Sequence, residues 1–340
     1  MTTLEELGPS TYAFEAGMVL YSKLRPYLNK VVVADRDGFA TTELVPLRVD
    51  PEKVFPAYLA YYLRSAKFLA FANTVVAGAK MPRMVMSEFW RHEAPIPSLA
   101  EQRRIAGILD KVDLLRVKRR EALAYLDSLA QSIYLEMFGD PVTNPKGWPD
   151  LTLGGVVSDM QYGPRFHNEV YVENGTRIVR ITDLDDLGNL DFDSMPKLAV
   201  DDEAIDQYAL QAGDVIFART GATVGKCSLI KKDVPQCIAG AYFIRMRFRE
   251  CLLPEYAFAV LMTKSVKSIV TAQSRQAAQQ NFSGPGLRRL PMPTPPLTLQ
   301  EKFSERITEI QSQRVKYQAS FNAIDSLFAT LQDRAFRGEL

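Results

Sequence analysis

Long stretches of the first half of this chain return, in the same order, near its end, and that self-similarity constrains the fold more than any other feature of the sequence. The run Tyr12-Ala13-Phe14-Glu15-Ala16-Gly17-Met18-Val19 reappears as Tyr208-Ala209-Leu210-Gln211-Ala212-Gly213-Asp214-Val215, and Lys30 reappears as Lys226 in the same register. After a two-residue slip, Pro56-Ala57-Tyr58 matches Pro254-Glu255-Tyr256, and Pro95-Ile96-Pro97-Ser98-Leu99 matches Pro293-Thr294-Pro295-Pro296-Leu297. Gln102 then matches Gln300, Leu126-Asp127-Ser128-Leu129 matches Ile324-Asp325-Ser326-Leu327, and Phe138 matches Phe336. A period of about 200 residues is far longer than a solenoid repeat, so the chain holds a duplicated domain with its connector. At 340 residues, 47% of them hydrophobic, it can bury two cores.

Within each copy a mixed α and β stretch is followed by a long helical one. From Ala100 to Phe138 there is no proline and a single glycine, and Ile105, Ile108, Val112, Leu115, Ala122, Leu126, Leu129 and Ile133 recur in steps of three and four, broken by Arg119. The final stretch, Thr298 to Phe336, carries Phe303, Ile307, Ile310, Tyr317, Phe321, Ile324, Leu327 and Leu331 on one side. Two such stripes predict partnered helices, with Ile105, Val112, Leu126, Leu129, Ile310, Tyr317, Ile324 and Leu327 as the seam and docking positions. At about 1.5 Å per residue each helix measures roughly 57 Å, the length of about 17 base pairs. Packing of each helix on its own domain is the alternative. The expected fold class is α+β, with domains over residues 1–98 and 140–297 and long helices over 99–139 and 298–340.

Net charge is only +1, but its distribution along the chain is uneven. Ile181 to Gly213 holds nine acids and one base, whereas Asp214 to Leu297 holds twelve Lys and Arg against four acids. A base-rich surface with amide and guanidinium side chains is the footprint of nucleic-acid binding. Candidate DNA contacts in the second copy are Arg165, Arg219, Thr220, Lys226, Arg275, Gln276, Gln279, Gln280 and Asn281; in the first they are Lys23, Arg25, Lys30, Lys80 and Arg83. Arg, Gln and Asn can reach guanine and adenine edges with two hydrogen bonds, whereas Arg219 and Lys226 fit phosphate positioning. A solvated charged face is the competing account.

Phe217 to Cys227 looks like a phosphate-binding loop but has three residues before Gly225-Lys226 where four are needed, and Cys227 where Ser or Thr should follow. Both glycines are missing from the matching Tyr21 to Lys30, so what persists is a strand, a basic turn and a strand. Methyltransferase, nucleophile-elbow and dinucleotide motifs are absent, and chemistry is expected on a partner. Cys227, Cys237 and Cys251 lack metal-ligand spacing and are expected to be buried free thiols. His92 and His167 read as structural or surface residues. No run of membrane length and no signal-peptide pattern occurs, which leads to an expected cytoplasmic location.

The proline-rich turn at Pro95 to Gln102, launching a long helix and echoed at Pro293 to Gln300, resembles the specificity subunit of type I restriction-modification enzymes. Gly147-Trp148-Pro149 resembles the opening of that family's recognition domains. The resemblance implies two target recognition domains, each reading half of a bipartite duplex DNA site, separated by two long helices pairing as an antiparallel coiled coil. It implies as partners two copies of a methyltransferase subunit and the restriction/translocase subunit, with S-adenosylmethionine on the methyltransferase and no cofactor on this chain. A coiled-coil scaffold or nonspecific DNA clamp is the alternative function. One departure stands out: Trp148 precedes Tyr208 by 60 residues, while only eleven residues precede Tyr12, so about fifty residues are lacking from the front of the first domain.

Overall fold

A computed structural model describes residues 11–166, 170–274 and 281–340. Its contacts divide the chain into two compact units, Met1–Leu123 with Lys316–Leu340, and Ala124–Val315.

The first unit opens with β1 (Thr11–Phe14), β2 (Val19–Ser22), β3 (Val31–Val33), β4 (Gly38–Thr41) and β5 (Leu44–Leu47). Helices α1 (Pro56–Leu63) and α2 (Ala66–Thr74), the short hairpin of β6 (Val76–Ala77) and β7 (Arg83–Met84), and α3 (Met86–Arg91) follow, before α4 (Leu99–Phe138). Strands run in the order β3-β2-β5, with β1 paired to β4 in a second small sheet. The core is aromatic: Tyr58, Tyr61, Tyr62 and Phe68 pack with Phe336 from the last helix.

The second unit follows the same plan with additions at its front. It comprises β8 (Asp150–Thr152), α5 (Leu153–Val156), β9 (Val157–Tyr162), β10 (Tyr171–Val179), β11 (Lys197–Leu198), α6 (Asp202–Tyr208), β12 (Val215–Ala218), β13 (Cys227–Leu229), β14 (Cys237–Ala239) and β15 (Phe243–Phe248). Then come α7 (Pro254–Met262), α8 (Lys264–Ser274), α9 (Gly284–Arg288), β16 (Pro291–Pro293) and α10 (Leu297–Arg337). Its main sheet is β13-β12-β15-β9 and its second is β11-β10-β14. Among the described residues, the three-stranded sheet of the first unit thus corresponds to the four-stranded sheet without β9.

The repeated proline-rich motif is a buried amide lock. Gln102 and Gln300 are fully buried. The Gln102 Oε1 accepts from the Phe55 N–H at the start of α1, and its Nε2 donates to the carbonyls of Lys53 and Pro97, all at 2.8 Å. Gln300 makes the same three bonds to Leu253, Cys251 and Pro295. Tyr58 Oη donates to Pro95 O and Tyr256 Oη to Pro293 O, each at 2.8 Å. The prolines remove donors from a turn whose carbonyls must then be met by side chains, which is why glutamine and tyrosine recur at fixed spacing.

Helices α4 and α10 run antiparallel within each unit. In the first, Arg116 forms an ion pair with Asp325 at 2.5 Å and stacks over Phe328 at 4.3 Å, while Arg119 lies over Tyr317 at 4.7 Å. In the second, Arg314 pairs with Asp127 at 2.8 Å, and Tyr134 and Phe138 pack on Phe303. Arg116 and Arg314, and likewise Asp127 and Asp325, are equivalent in the repeat, so the same bond is made twice with the helices exchanged. Ile105 and Val112 are buried, and Leu126, Leu129, Ile310, Tyr317 and Ile324 are half-buried. Leu115 and Leu327 correct the expectation: they are 49% and 48% exposed. A helix of 3.6 residues per turn drifts off a 3.5-residue stripe, and arginine stems stacked on rings occupy the seam where those leucines were expected.

Candidate nucleic-acid interface

Each unit builds the same surface feature from its strand, basic turn and strand. In the second unit β12 and β13 are antiparallel neighbours, and the turn between them holds Arg219, Thr220, Gly221, Gly225 and Lys226. Gly221 and Gly225 have φ of 72° and 91°, which a side chain would strain. Phe282 N donates to Arg219 O at 2.7 Å, and Thr220 and Asn281 form an antiparallel bridge. In the first unit Met84 N donates to Lys23 O at 2.8 Å, and Leu24 bridges Arg83. Lys23 and Arg219, and Arg83 and Asn281, are equivalent in the repeat. Both turns are therefore joined to a segment about sixty residues downstream, a pairing no local pattern could disclose.

The side chains at the two places differ. Arg219 lays its guanidinium over the Tyr162 ring, 4.8 Å from the centroid, and its Nε is buried without a hydrogen-bond partner. Tyr162 is fixed in turn, since its hydroxyl accepts from Gly284 N at 2.9 Å. A Cβ at Gly284 would stand 2.5 Å from that oxygen, so the close approach requires glycine. In the first unit Arg83 forks onto Glu43 through Nε at 3.0 Å and Nη2 at 2.9 Å. That hydrogen bond, aided by the charges of Arg83 and Lys23, holds the Glu43 carboxyl below the usual carboxylate range. Arg25 has a left-handed backbone, φ 50°, at the mouth of the turn, with its N–H donated to Pro82 O at 2.7 Å.

Arg25, Lys30, Lys80, Arg83, Arg165 and Asn281 are exposed, while Lys23, Arg219, Thr220 and Lys226 are half-buried. Arg275, Gln276, Gln279 and Gln280 lie outside the described residues, as does His167. The charge segregation seen along the sequence is weaker in space. Lys226 Nζ pairs with Asp186 at 2.9 Å, Arg247 with Asp214 at 2.7 Å, and the buried Arg245 with Asp159. A buried cation needs its carboxylate, so these bases are structural partners of acids, two of which, Asp159 and Asp186, lie outside the base-rich stretch. Sequence reasoning missed Tyr162 and Gly284; the only signal for them was an aromatic residue and a glycine with no periodic role.

Similarity to known proteins agrees with this arrangement. The family model for the type I restriction modification DNA specificity domain matches residues 10–123 and 145–318. The EcoKI specificity subunit of Escherichia coli strain K12 is 24% identical over 313 residues, covering 85% of this chain and 67% of that protein. The MjaVIII specificity subunit of Methanocaldococcus jannaschii is 22% identical over 293 residues, covering 82% and 68%. The chain thus spans about two thirds of the length of these relatives. A solved chain from a study of complex assembly in the type I R-M system superposes with a TM-score of 0.59 at 21% identity, over 99% of this chain and 86% of that one. The S subunit from M. genitalium gives 0.56 at 15% identity, over 95% and 83%. These two share the fold: paired α+β domains with two long helices. Since the family model lies over both copies of the repeat, this chain belongs to the type I restriction-modification DNA specificity domains.

Proposed function

We propose that the chain is the noncatalytic DNA-recognition subunit of a cytoplasmic type I restriction-modification complex. Each unit reads one half of a bipartite duplex site with its basic turn and the segment bridged to it. The observation that carries this is the recurrence of that construction in both units, Lys23-Leu24 on Arg83-Met84 and Arg219-Thr220 on Asn281-Phe282, with cationic or amide side chains on its surface. Helices α4 and α10 set the spacing between half-sites. Their repeated Arg–Asp pairs support similar docking faces for two copies of a methyltransferase subunit, which carries S-adenosylmethionine; the restriction/translocase subunit joins that assembly. Selection from a random duplex pool by the chain with its methyltransferase should enrich two short sequence blocks at fixed separation. Equal retention of every duplex would sink the proposal.

A second reading applies to the first unit. Its exposed Arg25, Lys30 and Lys80 form no ion pair among the described residues, and Lys23 stands where the second unit has Arg219. Point charges grip phosphates without reading sequence, so this unit can act as a backbone clamp. One enriched block in place of two would favour it.

A further inference from the structure

The two equivalent turns differ in one respect that bears on specificity. Lys23 in the first unit is an ammonium on a flexible stem; Arg219 in the second is a planar fork laid over a ring. A phosphate contact needs charge near an oxygen and tolerates mobility, whereas a base edge needs donors held in a plane. Three features hold the Arg219 guanidinium: the Tyr162 ring 4.8 Å from it, burial of its Nε, and the bond that tethers the Tyr162 hydroxyl to Gly284 N. The backbone is fixed at both ends, since Arg219 N donates to Tyr242 O at 2.9 Å and its carbonyl accepts from Phe282. The neighbouring cations Lys226, Arg245 and Arg247 each face a carboxylate, while among the described residues Arg219 has none.

We infer that Arg219 reads a guanine edge in the half-site recognised by the second unit, with Tyr162 as the positioning residue that sets the plane of its fork. The inference rests on the proposed DNA reading. It departs from the phosphate role that the sequence assigns to Arg219. It also fits the first unit, whose sheet has among the described residues no counterpart of β9, the strand that ends in Tyr162.

The test is site selection from random duplexes by the chain assembled with its methyltransferase, using the wild type, Arg219→Gln and Tyr162→Leu. Arg219→Gln should abolish or switch to adenine the preference at one G·C pair, a change of roughly tenfold or more at that position, and leave the other block and the spacing intact. Tyr162→Leu, which keeps the charge, should weaken the preference at the same pair. If Arg219→Gln lowers binding to selected and random duplexes alike while the selected sequence is unchanged, Arg219 is a phosphate contact and the inference is overturned. If Tyr162→Leu leaves the preference intact, its positioning role is overturned. No enrichment by the wild type would instead bring down the DNA-reading proposal itself, a different result from a uniform loss in one variant.

Discussion

At the scale of single residues, burial and a few polar contacts decide behaviour. His92 accepts or donates to the Tyr62 hydroxyl at 2.7 Å and stacks on Phe71 with centroids 4.1 Å apart. Burial, then the nearby charge of Lys67, lowers its pKa from 6.5. Because the folded value lies below the unfolded one, the neutral ring's contribution is full above pH 6.5 and is lost as pH falls from there toward the folded value. Unfolding monitored between pH 7 and 5 should show this decline, and His92→Gln should flatten it; an identical pH slope in the variant would refute the assignment. Cysteine labelling makes a second prediction. Cys227 and Cys237 are buried, their thiols pushed up to about 12 and about 11 by desolvation, whereas Cys251 is exposed against expectation. A native-state thiol reagent should therefore modify one cysteine per chain and three after denaturation. The buried locks give the third: Gln300→Leu leaves the Leu253 N–H and two carbonyls without partners and should cost about 1–3 kcal/mol or more in chemical denaturation, while a surface change such as Glu301→Gln should cost little.

At the scale of elements, the edge of β5 differs from its counterpart in the second unit. Lys23 N donates to Glu43 O, which fixes the ladder phase: residues 19, 21 and 23 exchange bonds with 47, 45 and 43, so Leu44 and Pro46 direct their backbone groups to the edge away from β2, which is unpaired among the described residues. In the second unit Arg245, which like Pro46 stands opposite the middle of its neighbouring strand, takes up β9 across that edge through Gln161. Proline has no N–H to offer there, and proline on an edge strand discourages pairing. Pro46 therefore disfavours backbone pairing at that edge, where its counterpart Arg245 accepts a neighbouring strand. Pro46→Thr should open the edge and raise self-association in sedimentation velocity; an unchanged profile would count against this account. Two long helices were legible in the sequence because periodicity over forty positions leaves little freedom. The sequence could not show that Leu115 and Leu327 turn outward, because stacked arginines and helix drift decide that. Nor could it show the pairing of Lys226 with Asp186 or of the turns with residues 83 and 281, which depend on tertiary contacts forty to sixty residues apart.

At the scale of the whole molecule, the repeat means that one physical solution is used twice. The amide lock, the tyrosine bond to a proline carbonyl, the basic turn and the Arg–Asp helix pair recur bond for bond. Among the described residues, what does not recur is β9 with Tyr162, and with it the arginine stacked on that ring. If α4 and α10 set the spacing between half-sites, seven residues inserted after Leu123 in α4 together with seven after Val315 in α10 should preserve the phase of the seam and add about 10 Å of helix. That length corresponds to about three base pairs. Site selection by the doubly inserted protein should then return the same sequence blocks with a spacer longer by about three pairs. Inserting the same number between Gly139 and Trp148, outside both helices, should leave the spacer as it was. A doubly inserted variant that folds, enriches the same blocks and keeps the original spacer would show that the distance is set elsewhere and that the helices serve only to bind partners.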